Sequence, residues 1–223
     1  MKAMILAAGR GERMRPLTEK VPKPLLPIGG KPLIEYLIEN LKQAGFTDLV
    51  INHAWLGEQI EAALGDGRRF GSSIVYSAEG EPLDTAGGII KALPLLAGEP
   101  FVLVNGDIWT DYSFADLKAY SNMEQLAHLV MVDNPLQNPF GDYVLGSSGS
   151  LSLIDSVQDA LTYSGIAVLH PLLFENFSVG KLPLTTLYES AIKQQRVSGE
   201  YYKGEWSDIG TVDRLKELDA SLQ

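Results

Sequence analysis

Short apolar runs and segments of helical periodicity take turns along residues 1–132, and that alternation leaves the chain few architectures. Lys2–Ala7, Leu49–Asn52, Ser73–Ser77 and Phe101–Val104 are apolar runs of strand length. Between them, Leu33–Gln43 carries Leu33, Tyr36, Leu37 and Leu41 at helical spacing. Leu56–Leu64 reads as a helix stopped by Gly65, and Ala86–Leu93 as another. Phe114–Tyr120 is helical and Ala127–Val132 a strand. Such β-α-β order predicts a mainly parallel sheet with helices on both faces, a Rossmann-like, three-layer α/β arrangement.

The rhythm changes after Asp133. Tyr143–Leu145 and Leu151–Ile154 flank Gly146-Ser147-Ser148-Gly149-Ser150, the pattern of a hairpin and so of antiparallel pairing. Leu161–Leu169 and Val197–Lys203 read as strands and Leu184–Gln194 as a helix. A last helix starts near Thr211, an N-cap type, and runs to about Ala220. No repeat or long linker divides the chain, so one domain over residues 1–223 with a β-rich second half is expected.

Ligands of open parallel sheets bind beyond the carboxyl ends of the strands. There the first strand runs into a segment, Met4–Leu33, rich in glycine, proline and cations. Gly9 and Gly11 permit close backbone approach, and Arg10, Arg13, Arg15, Lys20, Lys23 and Lys31 supply positive charge. Pro16, Pro22, Pro24, Pro27 and Pro32 stiffen the loop in advance. Residues 1–31 hold seven of the 18 Lys and Arg residues against two acids, Glu12 and Glu19, in a chain of net charge −10. A basic island in an acidic chain fits a bound polyphosphate and argues against general nucleic-acid binding.

Two familiar phosphate motifs are excluded. A dinucleotide fingerprint beginning Gly9-x-Gly11 would place its third glycine at Met14, and the second strand closes on Asn52-His53 rather than an acid. A P-loop needs Ser or Thr after Gly30-Lys31, where Pro32 stands. The chain has no cysteine, hence no disulfide, thiol nucleophile or Cys-based zinc site. It shows neither a secretory-leader pattern nor an apolar run of about 20 residues, so a cytoplasmic, membrane-free protein is expected.

The order Leu6-Ala7-Ala8-Gly9, Gly11, Arg13, Pro16-Leu17-Thr18 and Pro22-Lys23-Pro24-Leu25-Leu26-Pro27 resembles the signature of the sugar-1-phosphate nucleotidylyltransferases. Thr85-Ala86-Gly87-Gly88, Gly106-Asp107 and Trp206-Ser207-Asp208-Ile209-Gly210-Thr211 match the same family in the same order. The resemblance implies the nucleotidyltransferase fold and the joining of a nucleoside triphosphate to a sugar 1-phosphate with release of pyrophosphate. Val104–Asp111 and Thr162–Ile166 are most similar to members that use UTP and N-acetylmuramate 1-phosphate in bacterial cell-wall recycling. Guanylyl transfer to mannose 1-phosphate, nucleotidyl transfer to glucose 1-phosphate, and a non-enzymatic nucleotide-sugar sensor are the alternatives.

In such a reaction an already ionised phosphate oxygen attacks an anionic phosphorus, so catalysis consists of alignment and charge neutralisation. By resemblance, Arg13 holds the leaving pyrophosphate, Lys23 bridges the reacting phosphates, and Asp107 and Asp208 bind Mg2+. Leu6, Ala8, Gly9, Gly11, Glu12, Thr85, Gly87 and Gly88 complete the nucleotide site, with Gly87 and Gly88 admitting the edge of the base. Thr85 also reads as a helix N-cap. Residues 1–132 are thus mainly nucleotide-binding. Residues 133–223 bind sugar and complete the metal site, with Asn105, Gly141, Asp142, Ser164 and Gly165 as sugar candidates. The cation facing the lactyl carboxylate is unassigned, with Arg196 and Lys203 named for it. A monomer is expected, because no assembly segment follows the last motif. His53, His128 and His170 read as structural, and Trp55, Trp109 and Trp206 as packing residues.

Overall fold

The computed structural model describes residues 1–155 and 159–222. Strands β1 (Ala3–Leu6), β2 (Pro27–Ile28) and β3 (Lys31–Pro32) lead into helix α1 (Leu33–Gln43), then β4 (Asp48–His53) and α2 (Gly57–Leu64). Next come β5 (Ser73–Ala78), α3 (Asp84–Ala92), β6 (Phe101–Asn105), β7 (Ile108–Thr110), β8 (Ala127–Val132), β9 (Tyr143–Leu145) and β10 (Leu151–Ser152). The chain closes with β11 (Ala160–Leu169), α4 (Leu184–Lys193), β12 (Val197–Tyr201), β13 (Trp206–Asp208) and α5 (Val212–Ser221). The strands and helices expected from periodicity are all found, with ends shifted by at most two residues. Phe114–Tyr120 is wound as a 3-10 rather than an α-helix.

The main sheet runs β5-β4-β1-β6-β11-β8-β12, and the β9–β10 hairpin joins the start of β11. β1, β4, β5 and β6 are mutually parallel, and β12 is parallel to β8. β11 runs against both β6 and β8. Alternation along the strands sends successive side chains to opposite faces. Ala3, Ile5, Val102 and Val104 pack under Ile34 and Leu37 of α1 and Ile60 and Leu64 of α2. Met4, Phe101 and Leu103 pack under Ile89 of α3 and Leu187 and Tyr188 of α4. Both faces are therefore covered, as the parallel order requires.

A third, smaller core lies beneath the basic segment. Met14, Leu26 and Ile28 are buried there against Leu33, Ile209 and Leu218. The segment thus alternates buried apolar anchors with cations, and Met14 fills the position where a dinucleotide fingerprint would carry glycine. Gly11 adopts φ +63°, and a Cβ on it would come within 2.8 Å of Thr18 Cγ2. Thr18 ties the loop on both sides, donating to the Gly11 carbonyl at 2.8 Å and accepting at its own carbonyl from Trp55 Nε1 at 2.9 Å. These ties hold the cations in place ahead of any ligand, the arrangement that lowers the ordering cost of binding.

Candidate active site

The strand order reverses between β1 and β6, and a cavity of about 560 Å³ opens beyond the carboxyl ends of these two strands. That is where ligands of open α/β sheets bind, and the volume suits a nucleotide-sized ligand. One wall is the loop from Ala7 to Arg13, another the Pro82–Thr85 turn, and the third Asn105-Gly106-Asp107. Leu6, Ala8, Gly9, Gly11, Glu12, Arg13, Lys23, Thr85, Asn105 and Asp107 all line it. Gly106 is required for closeness: a Cβ there would lie 2.5 Å from the Leu6 carbonyl oxygen.

Lys23 is nearly buried, and its Nζ donates to Asp107 Oδ2 at 2.5 Å. Asp208 joins them through the backbone. β13 pairs antiparallel with β7, setting Asp208 opposite Ile108, and the Ile209 N–H donates to the Asp107 carbonyl at 2.7 Å. Two acids far apart in sequence thus start and finish one short ribbon. Asp208 in turn pairs with Arg214 and accepts from Gln137 Nε2 at 2.5 Å. Gly210, next to it, lines the cavity, and Arg13 Nη2 lies 3.0 Å from where a Gly210 Cβ would stand.

Gly87 and Gly88 do not line the cavity. A Cβ on Gly87 would overlap the Gly180 carbonyl, and one on Gly88 would overlap the Glu79 carboxylate, so close packing accounts for both glycines. Thr85 is not an N-cap: α3 begins at Asp84, which adopts φ +58°, after Leu83, leaving Thr85 in the first turn.

Asn52 and Glu79 line the cavity and escaped the sequence reading. Asn52 Oδ1 accepts from the Ala7 N–H at 2.9 Å, Asn52 Nδ2 donates to Glu79 Oε1 at 2.6 Å, and the Leu83 N–H donates to Glu79 Oε2 at 2.9 Å. This buried relay ties the start of the basic loop to the start of α3. A signal existed, since Asn52 sits near the carboxyl end of a strand parallel to β1 and Glu79 directly follows the next.

The sugar candidates gather less tightly. β11 breaks register with β8 between Tyr163 and Ala167, and in that bulge Gly165 takes φ +83°. A Cβ on Gly165 would sit 2.6 Å from Asn105 Nδ2, so the bulge brings Gly165 against the cavity wall. Ser164 is buried, its Oγ accepting from the Ile166 N–H at 3.2 Å and its carbonyl accepting from Trp206 Nε1 at 2.9 Å. Asp142 accepts from the Tyr163 N–H at 2.8 Å and from Asn138 Nδ2 at 3.1 Å. Gly141, at φ +68°, packs on Ala160. Arg196 precedes β12 at the end of the sheet remote from the cavity and donates to the Glu124 carbonyl at 2.9 Å. Lys203 follows β12, over the Tyr201 ring.

The histidines have structural partners. His53 bonds Glu61 at 2.6 Å, His128 stacks on Tyr120, and His170 Nδ1 accepts from the Leu172 N–H. Burial, and then nearby Arg196, lower the His170 pKa.

Cations and a carboxylate gathered at the switch point of an open α/β sheet are suited to binding phosphate groups. Residues 2–155 match the nucleotidyl transferase family model, and the chain belongs to that family. It is 51% identical to an N-acetylmuramate alpha-1-phosphate uridylyltransferase of Neisseria meningitidis, over 99% of this chain and 97% of that one. It is 32% identical to a UTP–glucose-1-phosphate uridylyltransferase of Synechocystis and 33% identical to a mannose-1-phosphate guanyltransferase of Gibberella zeae. The chain spans 61% of the length of each of those two. Its fold superposes with a TM-score of 0.89 on a Bacillus anthracis protein assigned as a glucose-1-phosphate thymidylyltransferase, at 22% identity and 100% and 95% coverage.

Proposed function

We propose that the protein transfers UMP from UTP to N-acetylmuramate 1-phosphate, releasing pyrophosphate, as a Mg2+-dependent step of cell-wall recycling in the cytoplasm. The reaction class is supported by one observation: Lys23 pairs with Asp107 in a cavity that Arg13 also lines, with Asp208 on the strand that pairs with the one after Asp107. The choice of base and sugar rests on the similarity to the Neisseria meningitidis uridylyltransferase, which extends over nearly the full length of both chains.

Neither a general base nor a nucleophilic side chain is needed, because the sugar phosphate arrives ionised. Lys23 neutralises the two anionic groups that must meet, as a compact charge on a buried stem. Arg13 holds the departing pyrophosphate through parallel N–H bonds. The backbone from Gly9 to Glu12 cradles the triphosphate, Leu6, Ala8 and Thr85 bound the nucleoside, and Asn105 with the Ser164–Gly165 bulge receives the sugar.

The residues present fit a magnesium ion. Asp107, in the turn before β7, and Asp208, at the end of β13, offer hard carboxylate oxygens, and each already faces a cation, Lys23 or Arg214. Among the described residues no group of three or more His, Cys, Asp or Glu is placed to hold a metal. Few protein ligands are the rule for magnesium, which completes its shell with water and substrate phosphates. When bound it would offset phosphate charge and orient the reacting oxygens.

Pyrophosphate release across a panel of nucleoside triphosphates and sugar 1-phosphates tests the reading. UTP with N-acetylmuramate 1-phosphate is expected to give the highest kcat/KM. Faster turnover of GTP with mannose 1-phosphate, or of any nucleotide with glucose 1-phosphate, would sink the substrate assignment. No turnover with any pair would favour a sensor.

A further inference from the structure

Arg214 stands where helix electrostatics disfavour it. It occupies the first turn of α5, the end of a helix that attracts anions and repels cations. Its side chain is nonetheless mostly buried and carefully held. The Thr211 hydroxyl accepts from its backbone N–H and from its Nε, each at 3.4 Å, and the far end of the guanidinium pairs with Asp208. Its Nη2 occupies the space a Gly210 side chain would need, and Arg13 Nη2 lies 3.0 Å from that same point. Asp208 therefore offsets a cation placed against the helix dipole, while Gly210 keeps open the space that Arg214 and Arg13 share at the cavity wall. The site holds two carboxylates, each matched by its own cation.

We propose that Arg214 is a built-in competitor for the metal: its guanidinium, which pairs with Asp208, and a divalent cation exchange for one another at that carboxylate. This inference rests on the metal reading of Asp107 and Asp208 given above. The exchange frees a guanidinium beside Arg13 at the wall of the polyphosphate cavity, so Arg214 couples metal occupancy to the local supply of positive charge. It acts through Asp208 and is a positioning residue in this role.

The test is Mn2+ binding to the nucleotide-free, full-length protein, followed by electron paramagnetic resonance. Removal of a competing cation raises metal affinity, whereas loss of a contact that only holds Asp208 in place lowers it. Arg214→Gln is expected to bind Mn2+ roughly fivefold more tightly, the scale of one partly exposed ion pair. Arg214→Lys, which keeps the charge, should stay nearer the parent. In the unmodified protein, Mg2+ should shift the Arg214 Nε–H nuclear magnetic resonance signal, a readout independent of whether the variants fold. Unchanged or weaker Mn2+ binding by Arg214→Gln, or an unmoved Nε–H signal, overturns the proposal. The underlying metal reading is tested separately by Asp208→Asn, which must weaken Mn2+ binding. If it does not, the metal assignment itself fails.

Discussion

At the residue scale, the motifs disclosed the charged groups better than the small ones. Arg13, Lys23 and Asp107 reach the cavity because an apolar neighbour anchors the loop or a strand end presents them, and both patterns are visible in sequence. Gly87 and Gly88 looked like openings for a base, yet their space is taken by Gly180 and Glu79, contacts that no local pattern announces. The two glycines should accordingly separate under substitution. Gly87→Ala drives a methyl group into backbone and is expected to cost about 1–3 kcal/mol of stability, seen as a lowered Tm. Gly88→Ala pushes on the Glu79–Asn52 relay that fixes the Ala7 N–H, so it should also weaken UTP binding measured by calorimetry. Equal UTP affinity for both variants would remove the relay from the nucleotide site. Lys23→Met, with the fold preserved, is expected to lower kcat by about 10²–10³ while changing KM for UTP little, since its charge matters most where the phosphates react. A variant that raised only KM would make Lys23 a binding residue instead.

At the element scale, runs with an internal period were legible and pairings across long separations were not. Ala127–Val132 and Leu33–Gln43 fall where periodicity puts them. The β7–β13 ribbon, which brings Asp107 beside Asp208, joins three-residue strands that carry no period of their own. What holds this ribbon to the sheet is also non-local. Tyr112, just past β7, donates its hydroxyl to Glu200 of β12, and His128 Nε2 of β8 lies 3.6 Å from the same carboxylate. Facing His128 lowers the Glu200 pKa against the opposing effect of burial, and the Tyr112 hydroxyl assists. A carboxylate whose folded value lies below its unfolded value stabilises the protein above the unfolded value and loses that contribution as pH falls through the folded one. Glu200→Gln is therefore expected to cost about 1 kcal/mol at neutral pH, with solvent screening allowed for, and the deficit should shrink on acidification. Urea unfolding of both proteins from pH 7 down to about pH 2, through the window below the ordinary carboxylate value, measures this. A deficit independent of pH would show that the Glu200 charge contributes nothing. Thr211→Ala, which removes the observed α5 N-cap, should cost about 1 kcal/mol in the same measurement.

At the scale of the whole molecule, residues 1–132 and 133–223 share one sheet, and this sharing follows from the order in which the strands pair. β6, the last parallel strand of the first half, is covered on its open edge by β11 of the second, with Ile166 to Leu169 in register with Val104 to Phe101. Phe101 and Leu103 bury their side chains in the same core as Leu187 and Tyr188, and β12 of the second half pairs β8 of the first. Separating the halves would leave both with an unpaired strand edge and exposed core. The candidate site has the same dependence, because Asp107 and Lys23 come from one half and the Asp208–Arg214 pair proposed to complete it comes from the other. Residues 1–132 and 133–223 should therefore unfold as one cooperative unit. Trp55 reports on the first half, through its bond to the Thr18 carbonyl, and Trp206 on the second, through its bond to the Ser164 carbonyl. Variants retaining only one of these tryptophans, with Phe at the other two positions, should give fluorescence midpoints in urea that coincide with each other and with far-ultraviolet circular dichroism. If the Trp206 signal is lost at lower urea than the Trp55 signal, the second half is a separate unit. Acceptor binding would then stabilise that half alone, and nucleotide affinity would survive its unfolding.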